Sequence, residues 1–185
     1  MLAPLSKYRN GIAEKISASL QNTGTINGAD SIPLKELAAQ PWKNGTLTKE
    51  NRASIAFELS TKEGDKVLLL GDAHIKDILN GLDCFYPNQE HPIKYKIIKL
   101  SHHGSKNNFC PAFIQKVHTD IFLVSTNGDF FGHPDKEVIA QIICNTDSII
   151  GFNYGERKDS LFTKQDFMDF PNLKERVFTT ISCLE

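Results

Sequence analysis

The sequence predicts an α/β protein, and three observations carry that expectation. The apolar run from Val67 to Leu70 stops at Gly71-Asp72, a second run from Tyr95 to Leu100 stops at Ser101-His102-His103-Gly104-Ser105, and helix-period segments alternate with strand-like ones around both. Short apolar runs bounded by turn residues read as buried strands, and regular alternation with amphipathic segments reads as helices laid over a sheet.

The elements follow in order. Tyr8, Ile12, Ile16 and Leu20 recur at four-residue spacing and predict an amphipathic helix over 5–20. Asn22 to Asp30 reads as a loop, Pro33 to Ala39 as one short helix, and Pro41 to Gly45 as a break. Ile55, Phe57 and Leu59 alternate with small or polar residues, Glu63-Gly64-Asp65 is turn material, and Val67 to Leu70 returns as a strand, so a hairpin is expected. Ile75, Ile78, Leu79 and Leu82 share a helix face, and a loop with Pro87 and Pro92 leads to the strand Tyr95 to Leu100. A helix over Pro111 to Val117, a strand over Ile121 to Ser125 and a helix opening at Pro134 come next, since proline suits a first helical position. Ile149 to Tyr154 and Arg176 to Cys183 predict two further strands, separated by an acidic, Phe-rich stretch from Leu161 to Phe170.

The bulk properties are those of a packed protein. A chain of 185 residues, 40% hydrophobic and 23% charged, is long enough to bury its own core and is expected to form a single domain over 1–185. A formal net charge of −1 provides no global field for a polyanion, so a nucleic-acid substrate would have to be gripped locally. The cysteines Cys84, Cys110, Cys144 and Cys183 show no paired spacing and read as buried, reduced thiols. No run approaches the length of a membrane span and nothing resembles an export signal, so a cytoplasmic protein is expected.

Chemistry concentrates at three strand ends. A carboxylate at Asp72 can bind or bridge a cation there, or cap the helix that follows. His102 and His103 leave an extended segment in different directions, so one can hold a metal while its neighbour meets substrate or moves a proton; both can also stand idle in solvent. His133, one strand later, joins them or simply precedes Pro134 at a helix start. The Ser105 hydroxyl, with Lys106, Asn107 and Asn108, would suit phosphate oxygens, as a solvated polar loop also would look. His74, two residues past Asp72, can approach the site or stand as a solvent-facing residue of a first helical turn, and His91 and His118 read as surface residues.

In this order the motifs resemble the metallo-β-lactamase fold superfamily, and within it the hydrolase domain of competence-type DNA-uptake channel proteins. The resemblance rests on Asn51 and Ser54 opening a strand, Gly71-Asp72, His102 to Ser105, and Gly132 to Pro134, and covers about Asn51 to Ile143. It implies an αββα sandwich with a dinuclear metal site, usually zinc, and hydrolysis of a phosphodiester or related ester. Asp72 then matches the bridging carboxylate and His103 the last histidine ligand. His102 matches a phosphate-contacting or general-acid group, and His133 a substrate-side residue, with the ligand role open between His103 and His133.

One departure is large: the His-x-His-x-Asp-His string that precedes this region in the family does not occur here. The chain is therefore expected to be the distal half of such a domain. Residues 1–50 form its lead-in, 51–145 its motif-bearing core and 146–185 its terminal strands. Such a half has too few donors to hold two zinc ions and is expected to be hydrolytically inactive alone. A sheet face left without its partner sheet implies a homodimer or pairing with an N-terminal half-domain chain. The alternative is a non-catalytic interaction module that retains the scaffold.

Overall fold

A computed structural model describes residues 28–43, 45, 51 and 53–179. The expected helix over 5–20 and residues 180–183 of the expected last strand, with Cys183, lie outside the described residues. The fold is α/β; among the described residues six strands form one mixed sheet with helices packed against it. Helix α1 spans Leu34–Ala39, strands β1 and β2 span Phe57–Ser60 and Lys66–Leu69, and α2 spans Ile75–Phe85. Then come β3 (Ile93–Lys99), α3 (Pro111–Lys116), β4 (Val117–Val124), α4 (Lys136–Asn145) and β5 (Ile149–Phe152). Helices α5 (Gly155–Leu161), α6 (Lys164–Asp169) and α7 (Leu173–Arg176) precede β6 (Val177–Thr179).

The strands lie side by side in chain order, β1 antiparallel to β2 and every later pair parallel. Right-handed crossovers between parallel neighbours taken in sequence put the connecting helices on one face of the sheet. That face is the core. Leu68, Ile98, Phe122 and Ile150 stand in one register row and are buried, beneath Ile75, Ile78 and Leu82 of α2 and the buried apolar residues of α4. Each such residue contributes about 1.5–3 kcal/mol by leaving water. The neighbouring row, Val67, Ile97, Ile121 and Ile149, is only half-buried, and Ile55, Phe57 and Leu59 at the β1 edge are exposed.

Both β3 and β4 change phase halfway. Ile93 and Tyr95 are buried with Lys94 and Lys96 exposed, after which Ile98 is the buried residue. Val117, Thr119 and then Phe122 repeat the pattern, the pairing skips Lys96 and Asp120 together, and Thr119 Oγ1 bonds both the N–H and the C=O of Ile121 at the shift.

Several elements differ from the sequence reading. β4 begins at Val117, because α3 ends at Lys116 and the alternation of Val117 and Thr119 with exposed His118 and Asp120 is already a strand. α4 opens at Lys136 with Asp135 as its N-cap, not at Pro134; Pro134 is spent on packing against Gly104. The Leu161 to Phe170 stretch is mostly helical: α6 starts at a capping box in which Thr163 and Asp166 satisfy each other's backbone N–H. The strand after α4 ends at Phe152, leaving Tyr154 exposed at the start of α5.

Two buried ion pairs tie the helices together. Lys136 Nζ donates to Asp166 Oδ2 at 2.8 Å and to the Asp30 carbonyl at 3.1 Å, and Asp166 Oδ1 accepts the Leu34 N–H at 2.6 Å. Arg157 pairs with Asp30 at 3.0 Å. Cys84 is exposed rather than buried, because it stands on the outer side of α2; Cys110 and Cys144 are half-buried, and none of the three is in a disulfide. Among the described residues no helix is long and apolar enough to cross a membrane.

Candidate functional site

The parallel strands deliver their C-terminal ends to one edge of the sheet, and the chain there bends sharply. After β3, His102 (φ 43°, ψ 49°), His103 (φ 58°, ψ 21°) and Gly104 (φ 86°) lie in succession in the left-handed region. Only glycine enters that region freely, and each histidine there costs about 1–3 kcal/mol. The surroundings hold the turn in place. The His102 N–H donates to the Gly71 carbonyl at 2.9 Å, Ser101 Oγ donates to the Ala73 carbonyl at 2.7 Å, and the Gly104 carbonyl accepts the Asp135 N–H at 3.0 Å. A Cβ on Gly104 would stand 2.7 Å from Pro134 Cβ, so the histidine turn and the Gly132-His133-Pro134 loop are locked against each other.

This brings the three strand ends together. The His102 ring contacts that of His103 (centroids 6.1 Å apart) and that of His133 (5.4 Å), and Asp72 acts electrostatically on His103 and on Lys99. The two adjacent histidines are held in opposite tautomers. The Asn51 amide donates to His102 Nδ1 at 2.9 Å, which leaves the proton of the neutral ring on Nε2. His103 Nδ1 donates to the Ser125 carbonyl at 2.6 Å, which leaves a lone pair on Nε2. Burial, and then the Lys99 charge, pull the His103 pKa below its ordinary value against the Ser125 carbonyl and Asp72.

Asp72 does not cap α2. His74 does, its Nδ1 accepting the Lys76 N–H, and the Asp72 carboxylate forms no hydrogen bond or ion pair with a described residue. Its backbone is fixed instead: its N–H donates to Ser54 Oγ at 2.8 Å and its carbonyl accepts from Asn108. His133 Nδ1 stands 3.5 Å from Asp135 Oδ2. Burial raises the Asp135 carboxyl, but His133 and the Lys106 N–H outweigh it and hold the group below the usual carboxylate range.

Ser105 and Lys106 are turned away from this cluster. Ser105 is buried and its hydroxyl accepts the Asn107 N–H, while the Lys106 ammonium pairs with Glu137 at 2.8 Å. The cation beside the histidines is Lys99, at the end of β3; burial lowers its pKa against the pull of Asp72, and its ammonium donates to the Leu100 carbonyl. Its sequence signal is weak, because β3 also carries Lys94 and Lys96 and only the fold sets Lys99 beside the histidines. Arg157 had none: from α5 it donates to the carbonyls of Gly132 (2.6 Å), His133 (3.1 Å) and Pro134 (2.9 Å), and so positions His133. His91 and His118 are exposed, away from the cluster.

The donors fit only part of a metal site. Asp72 and His103 Nε2 are suitable zinc ligands, but a settled zinc takes about four. Among the described residues no three His, Cys, Asp or Glu side chains form a group able to hold a metal ion.

Gly71 sets the approach of Asp72. Its φ is +52°, and a Cβ there would stand 2.7 Å from Ser54 Oγ and 2.8 Å from the Ile55 carbonyl. Gly71→Ala is expected to destabilise the fold by about 2–4 kcal/mol, the sum of left-handed strain and overpacking, measured as a lower urea midpoint.

Comparison with protein-family models, with curated proteins and with solved structures gave no match.

Proposed function

We propose that the chain supplies the distal half of a hydrolytic site for phosphodiesters or related esters, of the metallo-β-lactamase kind its strand-end motifs resemble. What supports this reading is the pair of opposed tautomers. His102 offers an Nε2–H donor while its neighbour His103 offers an Nε2 lone pair, in a turn strained to present both. A phosphodiester oxygen would accept from His102, the charge of Lys99 would offset its negative charge, and His133, 3.5 Å from Asp135, would pass a proton to the leaving group. Asp72 and His103 would be this chain's share of the ligands in a complete site, where a bound cation would supply an activated water. Asp72 and His103 do not make a zinc site by themselves, so the remaining donors belong to an N-terminal half-domain chain or a second copy. Free thiols at Cys84, Cys110 and Cys144 suit a reducing compartment, and the cytoplasm is the proposed location.

The test follows the histidine ring nitrogens of the whole chain by NMR while inorganic phosphate or a thymidine dinucleotide is added. His102 and His133 are expected to shift first, and shifts confined to other residues would refute the assignment. Zinc with bis(p-nitrophenyl) phosphate should give no turnover by the chain alone; stoichiometric zinc and steady turnover would overturn the half-site reading. Sedimentation at micromolar concentration is expected to show an assembly, and a monomer counts against the second-copy partner.

A further inference from the structure

A cleft of about 580 Å³ lies where α2 overhangs β1, β2 and β3; Ala73, next to Asp72, is in its lining, and none of His102, His103 and His133 is. The aromatic rings of Phe57, Phe85, Tyr86 and Tyr95 line it. Its charged lining residues are Glu58 and Asp77, with no lysine, arginine or histidine among the described ones. The volume is that of a small-molecule site, and rings with carboxylates are what an organic cation binds.

Two further observations point to a ligand. Gly81 sits in the interior of α2, where glycine is disfavoured, yet a Cβ there would meet no described atom within 4 Å. Close packing therefore does not require glycine; a larger residue would fill the cleft that Gly81 leaves open. Asp77, an exposed lining residue one turn earlier on the same helix, supplies a solvated carboxylate with no hydrogen bond or ion pair to a described residue. The protein also shows the same chemistry internally. The Lys66 ammonium lies 4.5 Å from the Tyr86 ring centroid, donates to the Tyr86 hydroxyl at 2.8 Å and stands 3.8 Å from Glu58, whose carboxylate accepts from both tyrosines.

We infer that this cleft binds an organic cation, with its ammonium group on Asp77 and its apolar body among Phe57, Leu82, Phe85 and Tyr95. Titration of the full chain with phenethylammonium, followed by amide NMR, is expected to shift β1 and α2. Its affinity should exceed that of phenethyl alcohol by about fivefold or more, the scale of one ion pair with ring contacts. Asp77→Asn should erase that preference. Gly81→Leu, which strengthens the helix and fills the cleft, should abolish binding in a chain whose circular dichroism is unchanged. Equal affinity for the ammonium and the alcohol, binding that survives Gly81→Leu, or no binding of phenethylammonium would each overturn the inference.

Discussion

Arg157→Met is expected to lower stability by about 3–5 kcal/mol and to release the loop that carries His133. Removing one member of a buried ion pair leaves the other charge unsolvated, and here Asp30 would be stranded, nine-tenths buried. The same change orphans the carbonyls of Gly132, His133 and Pro134, which the guanidinium holds together through Nε and Nη2 while Nη1 pairs with Asp30. Lysine cannot substitute, because one ammonium cannot span Asp30 and that row of carbonyls. Urea unfolding measures the first effect. The second is read from the His133 ring resonances, which should broaden in the variant while those of His103, held by the Ser125 carbonyl, stay put. Equal broadening of both rings would show a general loosening and not a role in positioning His133.

Lys136→Met is expected to cost a similar about 3–5 kcal/mol, with a distinct pH signature. Both partners of the Lys136–Asp166 pair are fully buried. Burial alone would raise the Asp166 carboxyl, but Lys136 and the N–H groups of Leu34 and Thr163 outweigh it and hold the group below its ordinary value. A carboxyl depressed on folding adds stability above its unfolded pKa of about 3.9, and that stability is lost as the pH falls through the lower folded value. Without the ammonium the depression shrinks, so the acid unfolding midpoint should move to higher pH. An unchanged acid midpoint would show that the backbone donors, not Lys136, hold the carboxylate ionised. Because Asp166 also receives the first N–H of α1, melting of α1 should accompany the transition.

Local pattern made much of the fold legible. Alternation at Ile55, Phe57 and Leu59, the apolar run before Gly71, and the i, i+3, i+7 face of Ile75, Ile78 and Leu82 are properties of the chain itself, and they appear as β1, β2 and α2. The end of the helix before Val117 was less legible, because a β-branched residue followed by exposed polar ones suits either a helix end or a strand start. The phase change at Lys96 and Asp120 was not legible at all, since period-two alternation resumes on each side of it and only the paired strand reveals the skip.

For the site, the sequence determined which residues arrive at the strand ends: Asp72, His102, His103 and His133 follow from where three apolar runs stop. Tertiary structure decided what they can do. Two histidines are held left-handed because Gly71 and Asp135 bind their turn by its backbone and Ala73 binds the Ser101 hydroxyl, and their tautomers differ because Nδ1 accepts from the Asn51 amide in His102 and donates to the Ser125 carbonyl in His103. Ser105 and Lys106 were diverted to a turn and to Glu137, while Lys99 and Arg157 took up the charges around the cluster. The histidine tautomers and the Lys106 and Arg157 contacts depend on partners more than twenty residues away, and a one-dimensional pattern has no access to such distances; hydrogen-bond geometry and burial exist only after the chain has folded.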